Sequence, residues 1–145
     1  MVAAPSRGER RFLPVDPRWL VIIFCGAALG TTLRSVLETV FTPAVGQWPW
    51  VTFWINVTGS LLLGALLEGI AESGRDTGWR RGLRLGVGTG VLGGFTTYST
   101  FAVETVLLFR SGHWLLASGY ALASVVTGVA AAVLGMVVDF VRLKW

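Results

Sequence analysis

Read along the chain, the apolar positions fall into four long blocks separated by short polar links. The blocks run from Trp19 to about Phe41, from Trp50 to Ile70, from about Leu85 to Phe109, and from Trp114 to about Val141. Each is long enough to cross a hydrocarbon core of about 30 Å as a helix, which takes about 20 residues. The blocks lack the alternation of period two that a barrel strand needs. The pattern therefore predicts an all-α membrane protein of four spans, with neighbouring spans joined as antiparallel hairpins. Residues 1–18 read as a basic tail, 19–141 as the membrane domain and 142–145 as a C-terminal tail. The first block continues beyond the length of a signal peptide's apolar region, so it is read as a retained span.

Composition supports this reading. The residues AVILMFWYC make up 53% of the 145, only 14% are charged, and 19 are glycine. Mean hydropathy is +0.66. A water-soluble globule this apolar would expose large greasy patches. Trp19, Trp48, Trp50, Trp114 and Trp145 stand at block ends, where interfacial aromatics belong. The net charge of +4 does not point to nucleic acid, because the arginines flank apolar blocks. With a single His and a single Cys, neither a metal cluster nor a nucleophilic triad can be assembled, and the chain reads as a non-enzyme.

Charge sets an expected orientation. With four spans, the N-tail, the 71–84 link and the C-tail share one side and carry ten of the twelve Lys and Arg. The other side carries Arg110 alone, and Arg34 lies inside the first span. This bias predicts both termini in the cytoplasm of a bacterial inner membrane.

The polar residues inside the spans carry the functional signal. Gly26, Gly30, Arg34 and Glu38 recur at i+4 on one face of the first span. The glycines suit close helix packing. Arg34 either pairs with Glu38 or lines an aqueous vestibule. Thr52, Asn56, Ser60 and Gly64 form a second stripe, and Asn56 serves either as an interhelical hydrogen bond or as an amide donor facing a pore. Tyr120, Ser124, Thr127 and Gly128 form a milder one in the fourth span. The third span holds five glycines between Gly86 and Gly94, then Phe95-Thr96-Thr97-Tyr98-Ser99-Thr100-Phe101. Clustered Gly followed by β-branched Thr is poor helix material. A break near the membrane midplane is expected there, lined by protein or water. Beyond it, Thr96, Thr100 and Glu104 are spaced to share one face.

Gly93-Gly94-Phe95-Thr96-Thr97-Tyr98-Ser99-Thr100-Phe101 resembles the signature of the CrcB/Fluc fluoride channels. Gly26-x-x-x-Gly30-x-x-x-Arg34 and the run Trp54 to Gly64 are similar to that family's first- and second-span motifs. The resemblance implies a passive channel that lets the cytoplasm lose fluoride, built as an antiparallel dimer with two interfacial pores. It implies a structural Na+ at the dimer centre, held by backbone carbonyls of Gly93 and Thr96. It places Asn56, Tyr98, Ser99, Thr100, Phe101 and Glu104 along the fluoride path and Arg34 at a vestibule. Tyr98 stands where the family usually has Phe. A strong Lys/Arg bias is at odds with one sequence inserting both ways, so a heterodimer with a homologous four-span subunit of opposite bias is expected over a homodimer. Two alternatives are a proton-coupled small-drug exporter, which would need a carboxylate deep in the first span, and a partly structural subunit.

Overall fold

The computed structural model describes residues 16–44 and 46–142, with side chains as far as Val138. Most of the expected basic N-tail and the end of the C-tail lie outside the described residues. Four segments are long and apolar enough to span a membrane. They comprise α1 (Pro17–Val40), α2 (Trp50–Glu72), a composite third span, and α6 (Trp114–Arg142). The third span begins with α3 (Gly78–Leu83) and widens into a π-helical stretch, Arg84–Leu92. It closes with the single turn α4 (Gly93–Phe95) and resumes as α5 (Ser99–Arg110). No strand occurs among the described residues.

Local chemistry explains the ends. Asp16 caps α1 by accepting from the Arg18 backbone N–H at 3.0 Å, and Pro17 occupies the first turn, where its missing donor costs nothing. Gly112, at φ +82°, lets the chain turn between α5 and α6 within three residues.

The bundle consists of two closely packed helix pairs. The first half of the third span lies on α1, and α2 lies on α6. In both, small residues bring backbone against backbone. A Cβ on Gly90 would stand 3.0 Å from Gly26 Cα, and one on Gly94 would stand 2.5 Å from the Ala27 carbonyl. A Cβ on Gly30 would meet the Val91 carbonyl, and one on Gly64 the Ala132 carbonyl. Without an apolar driving force between helices in lipid, such approach supplies the dispersion contacts that hold them. The larger apolar side chains of α1, among them Phe24, Leu29 and Leu33, face outward. A small conventional core of Phe53, Leu108, Ala117 and Tyr120 sits at the end of the bundle where α5 turns into α6.

The break is present, and it lies just beyond the glycines. The glycine-rich stretch stays helical, loosened to i+5 bonding, with the Gly93 N–H reaching the Gly88 carbonyl. Its glycines serve the contact with α1. The chain leaves the helix at Thr96, which is extended at ψ 153°. Because of this interruption, Thr96 does not continue the face of Thr100 and Glu104. The break also lets the third span change partners: α4 packs on α1, whereas α5 packs on α6.

Candidate functional site: the break in the third span

Asn56, two turns into α2, defines the break. Its Oδ1 accepts the Thr97 N–H at 2.8 Å, and its Nδ2 donates to the Thr97 carbonyl at 2.9 Å. The side-chain amide thereby replaces both backbone partners that a continuous helix would have given Thr97. One Nδ2–H remains for another acceptor. Asn56 is thus an interhelical bond, and it still presents a donor at the site.

The substitution frees other groups. In a continuous helix the Thr97 N–H would serve the Gly93 carbonyl; here it serves Asn56. The Thr100 N–H would serve the Thr96 carbonyl; here it donates to Thr97 Oγ1 at 3.2 Å. Among the described residues no protein donor reaches the carbonyls of Gly93 or Thr96. The neighbouring Gly94 carbonyl is occupied, accepting from Thr31 Oγ1 and Arg34 Nε at 3.3 Å each.

Arg34 has a defined position. It pairs with Glu38 at 3.1 Å and reaches Thr100 Oγ1 at 3.5 Å while holding Gly94. Its charge is therefore divided among a carboxylate, a carbonyl and a hydroxyl. The Thr97 hydroxyl lies 3.1 Å from Thr100 Oγ1 and 3.3 Å from Ser99 Oγ. A continuous polar chain thus runs from Glu38 through Arg34, Thr100 and Thr97 to Asn56.

One turn beyond Thr100, Glu104 accepts from Thr52 Oγ1 and Tyr120 Oη at 2.7 Å each. Thr52 is 1% exposed and Tyr120 0%, so both donors are fixed by packing. This network ties α2, α5 and α6 together. Tyr98 and Phe101 stand 6.0 Å apart between ring centroids, and Phe101 stands 5.3 Å from Tyr120. Asn56, Ser60, Thr96, Tyr98, Phe101 and Ser124 line a groove of about 400 Å³ open to the bundle surface. Ser124 Oγ is buried and has no protein partner among the described residues. Tyr98 is 80% exposed, and Gly93 and Ser99 are exposed as well.

A family profile described as CrcB-like protein, Camphor Resistance (CrcB) matches residues 21–136. The chain belongs to the CrcB family. The match takes in most of the first and last spans, all of the two between them, and the break. A relative in Cutibacterium acnes named Fluoride-specific ion channel FluC 1 is 43% identical over 117 residues, covering 81% of this chain and 82% of the relative. One in Leifsonia xyli named Fluoride-specific ion channel FluC 2 is 45% identical over 122 residues, covering 82% and 81%. One in Beijerinckia indica named Fluoride-specific ion channel FluC is 44% identical over 117 residues, covering 80% and 91%. The chain is a multi-pass membrane protein of this CrcB family.

The structure thus gathers Asn56, Tyr98, Ser99, Thr100, Phe101, Gly93 and Thr96 around one interruption, with Arg34 beside it and Glu104 a turn away. Sequence reasoning overlooked Thr97, whose backbone and hydroxyl are the hub of the site. It placed Thr52 and Tyr120 on polar stripes without joining them to Glu104. The 52–56 spacing held that signal, since an i+4 stripe shared by Thr52 and Asn56 must face one neighbour.

Proposed function

We propose that this chain is a subunit of a passive, fluoride-selective channel that releases fluoride from the cytoplasm of a bacterium. The naming of its relatives supports the substrate, and one observation carries the reading: exposed polar backbone and side chains at mid-span. An open helix break facing acyl chains leaves carbonyls without donors, at several kcal/mol each. Gly93, Tyr98 and Ser99 therefore call for protein or a water-filled path against them. A second four-span subunit supplies both.

The donors suit a small, strongly hydrated anion. The spare Asn56 amide hydrogen and the hydroxyls of Ser99, Thr100 and Ser124 replace water, and the ring edges of Tyr98 and Phe101 carry partial positive charge. Arg34, with its charge shared among three acceptors, attracts an anion without trapping it, as conduction requires. Glu104, with both oxygens occupied by Thr52 and Tyr120, holds the middle of α5 in place. A cytoplasm-negative potential favours anion exit by about 2.3 kcal/mol per charge per 100 mV. The carbonyls of Gly93 and Thr96 fit a Na+, because oxygens without donors are what a hard cation takes. When bound, such an ion would cross-link the paired breaks of two subunits.

The Lys/Arg bias supports an orientation with both termini inside, and hence a heterodimer with a homologous subunit inserted the other way. Relatives named FluC 1 and FluC 2 accord with two such subunits. The test is anion efflux from proteoliposomes holding this chain alone and then with its candidate partner. Fluoride release without chloride release, in either preparation, supports the reading. Chloride release equal to that of fluoride, or no fluoride release in both, overturns it.

A further inference from the structure

We propose that the end of the bundle formed by the start of α1 and by α3 is a headgroup site for an anionic phospholipid, held by Arg75, Arg80 and Arg81 between Trp19 and Trp79. The inference stands apart from the transport reading.

Five cations whose side chains are described gather at this end: Arg18, Arg75, Arg80, Arg81 and Arg84. Two are already paired: Arg18 with Asp16 at 2.5 Å and Arg84 with Asp76 at 2.6 Å. Arg75, Arg80 and Arg81 make no ion pair among the described residues. Among the described side chains, the other carboxylates near this end, Glu68 and Glu72 of α2, also make none. Among the described residues, then, three guanidiniums stay available for an outside anion.

They are held in place. The Arg81 guanidinium lies 5.4 Å from the centroid of the Trp19 ring, which clamps α1 to α3. The Arg80 guanidinium lies 5.4 Å from the Trp79 ring and folds over Gly74, next to Arg75. Arg80 Nε is buried and lacks an acceptor among the described residues. A buried donor without a partner is costly and marks a position where an acceptor belongs. The Arg18 and Arg84 hydrogen bonds hold the carboxyls of Asp16 and Asp76 below the usual range, and Arg81 lowers both further.

The surroundings select a lipid over a free anion. Trp79 is 65% exposed, and Leu20 on α1 and Leu83 on α3 are exposed as well. Indole rings at this depth sit among headgroups, with aliphatic surface below for acyl chains. Basic clusters beside transmembrane helices recognise anionic headgroups in this way, gaining roughly fivefold in affinity per arginine.

The test is native mass spectrometry of the purified channel titrated with dioleoylphosphatidylglycerol, dioleoylphosphatidylcholine and inorganic phosphate. The wild type should bind the glycerol lipid at least tenfold more tightly than the choline lipid. The double variant Arg80→Gln/Arg81→Gln should lose most of that preference, and Arg75→Gln, on the exposed link, about fivefold. Arg110→Gln, at the opposite end, should keep it. Equal binding of the two lipids by the wild type, or an unchanged preference in both cytoplasmic-end variants, would overturn the proposal. So would competition by inorganic phosphate as effective as by the anionic lipid.

Discussion

Replacing Asn56 with Leu removes one side-chain amide and with it both bonds that keep Thr97 out of the helix. Thr97 is 8% exposed, so its N–H and carbonyl would lose their partners away from water. In an aqueous core two such losses would cost roughly 2–6 kcal/mol. Two considerations lower that figure. Polar contacts between membrane helices average only about 0.6 kcal/mol, with a ceiling near 1.7. If Thr96 returned to helical backbone, the freed Thr97 N–H would also gain the Gly93 carbonyl, its ordinary helical acceptor. We therefore expect Asn56→Leu to destabilise the folded protein by about 1–3 kcal/mol. Because the interruption begins to anneal, fluoride efflux should fall at least tenfold. Asn56→Asp separates the two effects. It keeps an acceptor for the Thr97 N–H but sets a second oxygen against the Thr97 carbonyl, where Nδ2 now sits at 2.9 Å. It should be intermediate in stability and as poor in efflux as the Leu variant. Thermal unfolding in detergent and ion-selective-electrode recording from proteoliposomes give the two readouts. Asn56→Leu conducting within twofold of wild type would refute the assignment of the break to this amide.

Gly30→Ala places a methyl against the Val91 carbonyl and 2.9 Å from the Phe95 nitrogen, neither of which can yield, so α1 must separate from the third span. A loss of about 3 kcal/mol is expected, whereas Gly119→Ala, whose nearest neighbour would be 3.9 Å away, should melt like wild type. Glu104→Gln can satisfy only one of its two donors through its carbonyl oxygen, so it should cost about 1–2 kcal/mol and slow efflux; unchanged melting would contradict the Thr52–Glu104–Tyr120 network. Tyr98→Phe removes a hydroxyl that makes no hydrogen bond among the described residues; folding should be unaltered and efflux should rise, and an unchanged rate would show that the hydroxyl does not obstruct a pore. The Asp76 carboxyl is held below its usual value by Arg84, so its contribution is present above the unfolded pKa and fades as pH falls through the folded one. Asp76→Asn should accordingly lower the melting temperature slightly at pH 7, and the difference from wild type should shrink as pH falls below the ordinary carboxylate range.

Much of this architecture is legible in the sequence, because membrane helices are dictated by length and apolarity alone. The four blocks and the glycine faces of α1 and the third span follow from such local rules. The interruption was legible as a glycine–threonine run, but its position was not. Glycine propensity points to residues 86–94, whereas packing against Gly26 and Gly30 keeps that stretch helical. The helix gives way where a distant side chain competes for the backbone, and Asn56 is 41 residues from Thr97. The same limit hid the join of Thr52 and Tyr120 to Glu104. Arg34 offered two readings on spacing alone; the ion pair with Glu38 is present, and the bond to the Gly94 carbonyl, 60 residues away, is one that spacing did not reveal.

The chain has a single cysteine, Cys25, which permits a direct test of what the break lines. In a Cys25→Ser background, Ser99→Cys and Val106→Cys would be reconstituted and challenged with silver ion during fluoride efflux. Both positions are exposed on α5, but only Ser99 borders the interruption. Rapid block at Ser99, with Val106 conducting undisturbed, is the result expected of a pathway through the break. Block at Val106 with none at Ser99 would place the ion elsewhere.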